Sequence, residues 1–558
     1  MIKNIHFKSV SKTVAEWVKT LIETVESAPF SLGSFVISFT ALIIVRLLIE
    51  SGIGGFSTES LPFLFSEFSH TFLFFLFSFL LFLPLARLAG ASSWSRAANL
   101  LLFGFLIIWT PPIIDKLIFG DRMFWSFYAL DGLQGLFFRF FQFFGGSPNL
   151  GITYGVRVEV AVMSIGLGLY AYIRSKKGAK AIGIAFLSYV LFFILGTFPS
   201  FVAIIALAPS RGLFGISELD VVGFMLTPRT FLGKEMVDPR MSLGIRMSIV
   251  YALLASITMG GLLYRMSKKT FLALLGNVRW PQIFWHGGLF FLGGGLALLY
   301  TAVAVRFDFF EVLGLFLLLS SVICAWLSSV IVNDLADRSI DALTNAKRPL
   351  PANVISMTLY RTIGILFFSA SLLFAGIVSL KAVLLLLAYQ AIAYLYSATP
   401  YRLKRVPFVA TVLSAIAGIL VLLIGFFAIS PSADSLPIPL TLLAFLTIAY
   451  AVTIPLKDFK DIKGDRADGV YTIPVILGVG NARAIIGSTL FLCYAASPLI
   501  LHEPRLILPA IVFGALAFLS VARARDIAQG KDSFRALPAW NMLFILLYGC
   551  IVTLFLLF

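Results

Sequence analysis

Runs of about 20 apolar residues recur along this chain from end to end, each long enough to cross a bilayer as a helix. The stretch LGLFLLLSSVICAWLSSVIV, residues 313–332, is one of them. In hydrocarbon every backbone N–H and C=O must find a partner within the spanning structure, so uninterrupted apolar runs fold as α-helices. Strands of a membrane barrel alternate apolar and polar residues, which these runs do not, and a barrel is excluded. Charged residues make up only 13% of the chain, against about 25% in a soluble domain. The expected fold is an all-α polytopic membrane protein with about 15 transmembrane helices.

Six spans are expected near residues 31–50, 68–90, 97–115, 155–175, 180–208 and 244–264. Nine more are expected near 283–305, 311–332, 358–379, 381–399, 407–429, 437–456, 484–501, 506–522 and 540–558. Charge orients them. From Arg265 onward, 20 of the 23 Lys and Arg residues fall in alternate loops, and the opposite loops hold only Arg306, Lys381 and Arg505. The positive-inside rule makes the richly basic side cytoplasmic. It also accounts for the net charge of +16 without nucleic acid. Residues 1–30 mix Lys3, Lys8, Lys12 and Lys19 with Glu16, Glu23 and Glu26 and have no apolar core, so they do not read as a signal peptide. Val10, Val14, Trp17, Leu21 and Val25 share one helical face, which predicts an amphipathic helix on the membrane surface ending near Pro29. The segment after Arg265 reads as a joint, giving expected domains at 31–265 and 275–558. Cys324, Cys493 and Cys550 lie in apolar runs without CxxC pairing, and the four histidines are scattered. Neither set predicts a metal centre or a disulfide.

Two short stretches break the apolar pattern in the same way. NDLADRSID, 333–341, places Asp334, Asp337 and Asp341 at i, i+3 and i+7. KDFKDIKGD, 457–465, repeats that spacing at Asp458, Asp461 and Asp465. On a helix these positions share one face. A one-sided row of carboxylates repels itself by roughly 0.2–0.5 kcal/mol per neighbouring pair even when exposed, and more where the dielectric is lower. Divalent cations remove that cost, and hard oxygen ligands favour Mg²⁺, which binds one or two carboxylates together with phosphate oxygens and water. The two rows therefore predict a diphosphate or similar polyanion held through Mg²⁺. Lys347 and Arg348 follow the first row, and Arg402, Lys404 and Arg405 lie in the intervening loop on the same membrane side. These side chains are suited to the remaining phosphate oxygens.

At these residues the sequence resembles the UbiA superfamily of intramembrane prenyltransferases. The first signature, NDxxDxxxD, stands complete as Asn333, Asp334, Asp337 and Asp341, followed by KRPLP. The second, DxxDxxxD, stands in KDFKDIKGDRADGVYTIPVILG, and YSATPYRLKR is similar to the loop between the motifs. The resemblance covers about residues 275–558. It implies a nine-helix bundle and Mg²⁺-dependent transfer of a prenyl group from a polyprenyl diphosphate to a small-molecule acceptor, by default an aromatic or quinone-precursor ring. Two Mg²⁺ ions are implied, with Asp334, Asp337, Asp458 and Asp461 as their ligands. Asp341 and Asp465 would act through water or position Lys and Arg. Asn333, Lys347, Arg348, Arg402 and Lys404 would bind diphosphate, and Tyr396 would lie near the reacting carbon. The first 264 residues lie outside the resemblance and show no catalytic constellation; a lipid-delivery role or a protein partner is open for them.

Three other readings compete. A cation-coupled transporter would place its carboxylates near the bilayer midplane, whereas these stand at helix ends. A non-catalytic scaffold for the first domain fits poorly with two intact acidic rows. A CDP-alcohol phosphotransferase would need an Asp-Gly-Ala-Arg pattern that is absent.

Overall fold

The computed structural model describes residues 16–54, 60–120, 128–145, 152–227, 230–231, 234–235, 238–301, 308–338, 341–342, 348–406, 408–430, 436–467, 469–524 and 534–557. They form two compact units, with the main break at Lys268–Lys269. Among the described residues 15 helices are long and apolar enough to cross a membrane, six before the break and nine after it. That is the number expected from the sequence. The remaining regular structure consists of short helices and two two-residue strands, Thr230–Phe231 and Lys234–Glu235.

In the first unit, α1 (Leu32–Gly54), α2 (Leu61–Ala89) and α3 (Trp94–Gly104) are followed by a 3₁₀ turn and α4 (Thr110–Phe119). Then come α5 (Leu133–Phe141), α6 (Tyr154–Ser175), α7 (Gly178–Gly196), α8 (Phe198–Arg211), α9 (Glu218–Leu226) and α10 (Pro239–Met266). The single span expected over 180–208 is two helices. Thr197 leaves helical geometry between them (φ −117°, ψ 11°) and Pro199 opens the second. Proline has no N–H for the helical ladder and clashes with the carbonyl four residues back, so it starts helices more readily than it continues them. A helix is present over residues 16–27. Val10 and Val14 lie outside the described residues, Trp17 is exposed, and Glu26 is buried. Its carboxylate accepts from the Tyr170 hydroxyl and pairs with Arg174. A hydrogen-bonded trio that the sequence did not announce, His70–Tyr128–Tyr251, is buried in this unit (2.7 and 3.0 Å).

The second unit holds α11 (Trp280–Tyr300), α12 (Phe309–Ala336), α13 (Met357–Val378), α14 (Leu380–Ser397) and α15 (Val409–Ile429). α16 (Leu440–Thr453) tightens into a 3₁₀ helix over Ile454–Lys460, and α17 (Ile462–Ala467) is short. α18 (Ile473–Ile500), α19 (Ile507–Ala522) and α20 (Leu537–Leu557) complete it. With no hydrophobic driving force between helices in lipid, close packing relies on small residues and buried hydrogen bonds. Both are used around α12. Gly364 of α13 faces Ile331, and the Ser328 hydroxyl donates to the Gly364 carbonyl (3.1 Å). The Gln390 amide of α14 donates to the Ala325 carbonyl (3.0 Å). An Asp308–Glu311 capping box closes the other end of α12. α12 is thus held along its length, and the first acidic row hangs from its C-terminus.

α11 and α15 meet backbone to backbone. A Cβ on Gly293 would stand 1.8 Å from the Leu422 carbonyl oxygen, and one on Gly425 would stand 1.8 Å from that of Phe290. Overpacking a core commonly costs about 1–3 kcal/mol, and here the obstacle is backbone that cannot rotate away. Gly425→Ala is expected to lower the thermal midpoint of the detergent-solubilised protein clearly. Gly295→Ala, where nothing lies within 4 Å, is expected to leave it unchanged or raise it slightly. Monodispersity after heating, followed by size-exclusion chromatography, measures both.

Candidate functional site

The two acidic rows share more than their spacing. α12 ends at Ala336, and Asp337 caps it at φ −101°, ψ 12°. The 3₁₀ helix of the second row ends at Lys460, and Asp461 caps it at φ −102°, ψ 0°. Each middle aspartate then accepts through its carbonyl from the N–H of the last: Asp341 to Asp337 and Asp465 to Asp461, both 2.9 Å. Neither row lies on one continuous α-helix, as the spacing had suggested. The first passes through a helix end. The second uses a 3₁₀ turn, in which i and i+3 eclipse, and then a short helix. The one-sidedness survives because the helix-type N–H to C=O bonds run across both joints.

The first row is saturated with cations and donors. Asp334, only 3% exposed, accepts from Asn277 Nδ2 (2.6 Å), the Tyr360 hydroxyl (2.8 Å), Arg279 (2.8 Å) and Arg348 (3.2 Å). A carboxylate offers about four acceptor sites, so Asp334 is full. Asp337 accepts from Arg402 (2.6 Å) and from Lys404, and Asp341 accepts from Arg348. Asn333 receives Ser397 (3.3 Å) and Lys404 (3.4 Å) on its side-chain oxygen. Arg348, Arg402 and Lys404 thus gather on the row. Lys347 lies outside the described residues. Tyr396 stands within electrostatic reach of Lys457, beside Ser397 at the end of α14.

The second row is the opposite. Among the described residues, none of Asp458, Asp461 and Asp465 forms an ion pair. Asp465 receives only the Thr472 hydroxyl, at 3.4 Å. Burial pushes its carboxyl up to about 6, and the neighbouring Asp461 charge adds to the rise. The same carboxyl feels Lys457 and Lys404. Lys404 therefore stands between the rows, bonded to one and within the field of the other.

Sequence reasoning missed Asn277, Arg279, Tyr360 and Lys457 as members of this cluster. Arg279 carried a readable signal, a cation directly before an apolar span, but the positive-inside rule already explained it. Tyr360 on α13 carried none, since a tyrosine near a membrane surface is ordinary. Arg279 (φ 56°) and Arg402 (φ 45°) both sit in left-handed backbone, a conformation of order 1–3 kcal/mol above the usual regions that clusters at functional sites. Both donate to the first row.

Among the described residues no three His, Cys, Asp or Glu side chains form a ready metal cage. Mg²⁺ does not require one, because it takes one or two carboxylates and completes its shell with phosphate and water. The second row offers only oxygen donors and forms no ion pair among the described residues, which fits such an ion. In the first row Asp337 and Asp341 would have to release a cation, and Asp334 one of four donors.

Residues 289–548 match the UbiA prenyltransferase family. The match takes in a little under half of the chain. Its curated relatives include digeranylgeranylglyceryl phosphate synthases. The one from Thermococcus sibiricus is 30% identical over 164 residues, 29% of this chain and 55% of the relative. The one from Haloquadratum walsbyi is 31% identical over 168 residues, 30% of this chain and 56% of the relative. The chain thus spans little more than half the length of these relatives. Among solved structures, a UbiA homologue from Archaeoglobus fulgidus bound to GPP and Mg²⁺ is 21% identical, with a TM-score of 0.38 over 50% of this chain and 99% of that one. A digeranylgeranylglyceryl phosphate synthase structure is 15% identical, with a TM-score of 0.37 over 52% and 99%.

The second acidic row makes the unit's stability depend on pH. The folded Asp465 carboxyl titrates near 6, above its ordinary 3.8. Its contribution to stability is present below the ordinary value and is lost as the pH rises through about 6. A divalent cation should restore that loss. Mg²⁺ is expected to raise the thermal midpoint more at about pH 7.5 than at about pH 5, and Asp465→Asn should shrink the difference. Differential scanning fluorimetry with MgCl₂ or EDTA at both pH values tests it.

Proposed function

We propose that the second unit transfers a prenyl group from a polyprenyl diphosphate to the hydroxyl of a lipid acceptor, releasing diphosphate at the cytoplasmic membrane face. The observation that carries this reading is the asymmetric pair of acidic rows, one ion-paired to Arg279, Arg348, Arg402 and Lys404 and one that forms no ion pair among the described residues and feels Lys457, Lys460 and Lys404 only through space. A magnesium–diphosphate complex supplies both missing charges, cations for the second row and an anion for the basic residues of the first. The family match over 289–548 supports prenyl transfer. The names of the relatives favour a glyceryl phosphate lipid over the aromatic ring expected by default. The concentration of positive residues in the same alternate loops supports the cytoplasmic placement. On this reading residues 31–265 form a separate membrane domain whose role is unassigned.

The roles follow from the contacts. Asp458 and Asp461, with Asp337 and Asp334, hold two Mg²⁺ ions. The ions, when bound, neutralise the charge that builds on diphosphate as its bond to the allylic carbon breaks. Arg402 and Lys404 exchange Asp337 for phosphate oxygens, and Arg348 exchanges Asp334 and Asp341, so no new charge is buried in the step. Asp341 and Asp465 orient the basic residues. Asn333 and Tyr396 flank the phosphates, and Lys347 adds charge from the adjoining loop. Donors fixed beforehand stabilise developing charge more than mobile ones do.

The test uses purified full-length protein, radiolabelled geranylgeranyl or farnesyl diphosphate, and either geranylgeranylglyceryl phosphate or an aromatic acid as acceptor. Mg²⁺-dependent diphosphate release and a prenylated lipid are expected, with loss of at least about 100-fold in Asp337→Ala and Asp461→Ala. Failure of folded wild-type protein to bind or turn over any of these donors would sink the reading. Product formed only with the aromatic acid would move the acceptor to that class.

A further inference from the structure

Four helices of the second unit carry a polar or aromatic side chain at the acidic end and another seven residues deeper. The pairs are Arg279 and His286 on α11, Asn333 and Trp326 on α12, Tyr396 and Tyr389 on α14, and Lys457 and Tyr450 on α16 with its 3₁₀ extension. Seven residues are two helical turns, roughly 10 Å. The deeper members meet. The His286 and Trp326 rings are 4.9 Å apart, His286 Nε2 lies 3.0 Å from the Tyr389 hydroxyl, and Tyr450 lies within electrostatic reach of Tyr389. Trp285 stacks on Tyr450 at 5.3 Å. A second polar layer therefore lies below the acidic rows, inside otherwise apolar spans.

The protonation of His286 can be read from its partners. Nδ1 is 2.7 Å from the Gln282 carbonyl, and a carbonyl only accepts, so Nδ1 carries the hydrogen. Nε2 is then a lone pair, and the Tyr389 hydroxyl donates to it. The arrangement fixes the tautomer as a second-sphere carbonyl commonly does. Ser329 also stands at the Tyr389 hydroxyl, whose second lone pair is left for a further donor. The unit's other histidine, His502, is exposed in the turn after α18. Beside the layer, Tyr450, Lys457 and Asp458 are half-buried. Tyr450 presses so closely on α15 that a Cβ at Gly418 would stand 2.1 Å from its ring.

Resting on the function proposed above, we infer that Tyr389 accepts a hydrogen bond from the acceptor hydroxyl and that His286, through Tyr389, takes its proton. In the step, the carbon–oxygen bond to diphosphate breaks and a carbon–oxygen bond to the acceptor forms. The acceptor's proton passes to the Tyr389 oxygen while the Tyr389 proton passes to His286 Nε2. Diphosphate leaves with the bonding electron pair, and the imidazolium later returns the proton to water. Polar side chains at this depth are expensive in a membrane and are retained where they act. On the function proposed above, the layer lies about two helical turns below the diphosphate anchors, on the side toward which the prenyl chain extends into the membrane.

The test compares wild type, His286→Gln and Tyr389→Phe in detergent with radiolabelled geranylgeranyl diphosphate, geranylgeranylglyceryl phosphate and Mg²⁺. Glutamine can still accept from Tyr389 but cannot take its proton. Formation of the prenyl ether is expected to fall about 100-fold in both variants, the lower range for proton transfer. Diphosphate release and KM for the donor should stay near wild type, with geranylgeraniol replacing the ether as water captures the prenyl group. Ether formation at the wild-type rate in both variants would overturn the inference. So would a parallel loss of donor KM, diphosphate release and ether, which marks a merely structural pair. Absence of diphosphate release in wild type would instead fall on the parent reading.

Discussion

Carboxylates at the end of apolar helices must be neutralised or they repel one another in a poor dielectric, and the second unit meets this demand in two different ways. Around Asp334 and Asp337 the protein supplies the positive charge itself, through Arg279, Arg348, Arg402 and Lys404. Around Asp458, Asp461 and Asp465 no ion pair forms among the described residues, and Lys457, Lys460 and Lys404 act on that row only through space. Charged partners in such places contribute little net stability, because desolvation offsets much of their attraction. On the function proposed above, the first row stores basic groups close to where an anion arrives, and the second offers oxygens to a cation. Lys404 joins the two, since it bonds to Asp337 and is felt by Asp465.

Much of the rest serves to hold that arrangement still. Ser328 and Gln390 tie α12 to α13 and α14 through backbone carbonyls. The glycine contact between α11 and α15 fixes α11, whose N-terminal approach carries Asn277 and Arg279. The left-handed backbone at Arg279 and Arg402 is stable only because neighbouring packing enforces it. The site is therefore precise at its acidic end, where side chains are locked by several donors at once.

The sequence spoke clearly where its signal was periodic or repeated. Fifteen spans followed from runs of hydrophobicity, and the acidic rows stood out because the same spacing occurred twice. It was silent where a contact depends on three-dimensional register. Tyr360 reaches Asp334 from another helix with nothing nearby to mark it. The layer of His286, Trp326, Tyr389 and Tyr450 is spread over four spans, and a lone histidine in an apolar run reads as an ordinary core residue. The helix break at Thr197 was masked by hydrophobicity continuing past it. Only the shared backbone angles of Asp337 and Asp461 show that the repeat in sequence is a repeat of chain geometry.

The wall facing Tyr450 has a consequence of a different kind. At Gly418 that wall is main chain, not side chain. A side-chain wall can be trimmed or enlarged by substitution, but a main-chain wall can only be built up. Variation at this position is one-directional: any side chain added there meets the Tyr450 ring and must displace it. Room beside this contact can be gained only by changing Tyr450 or the Trp285 ring stacked on it.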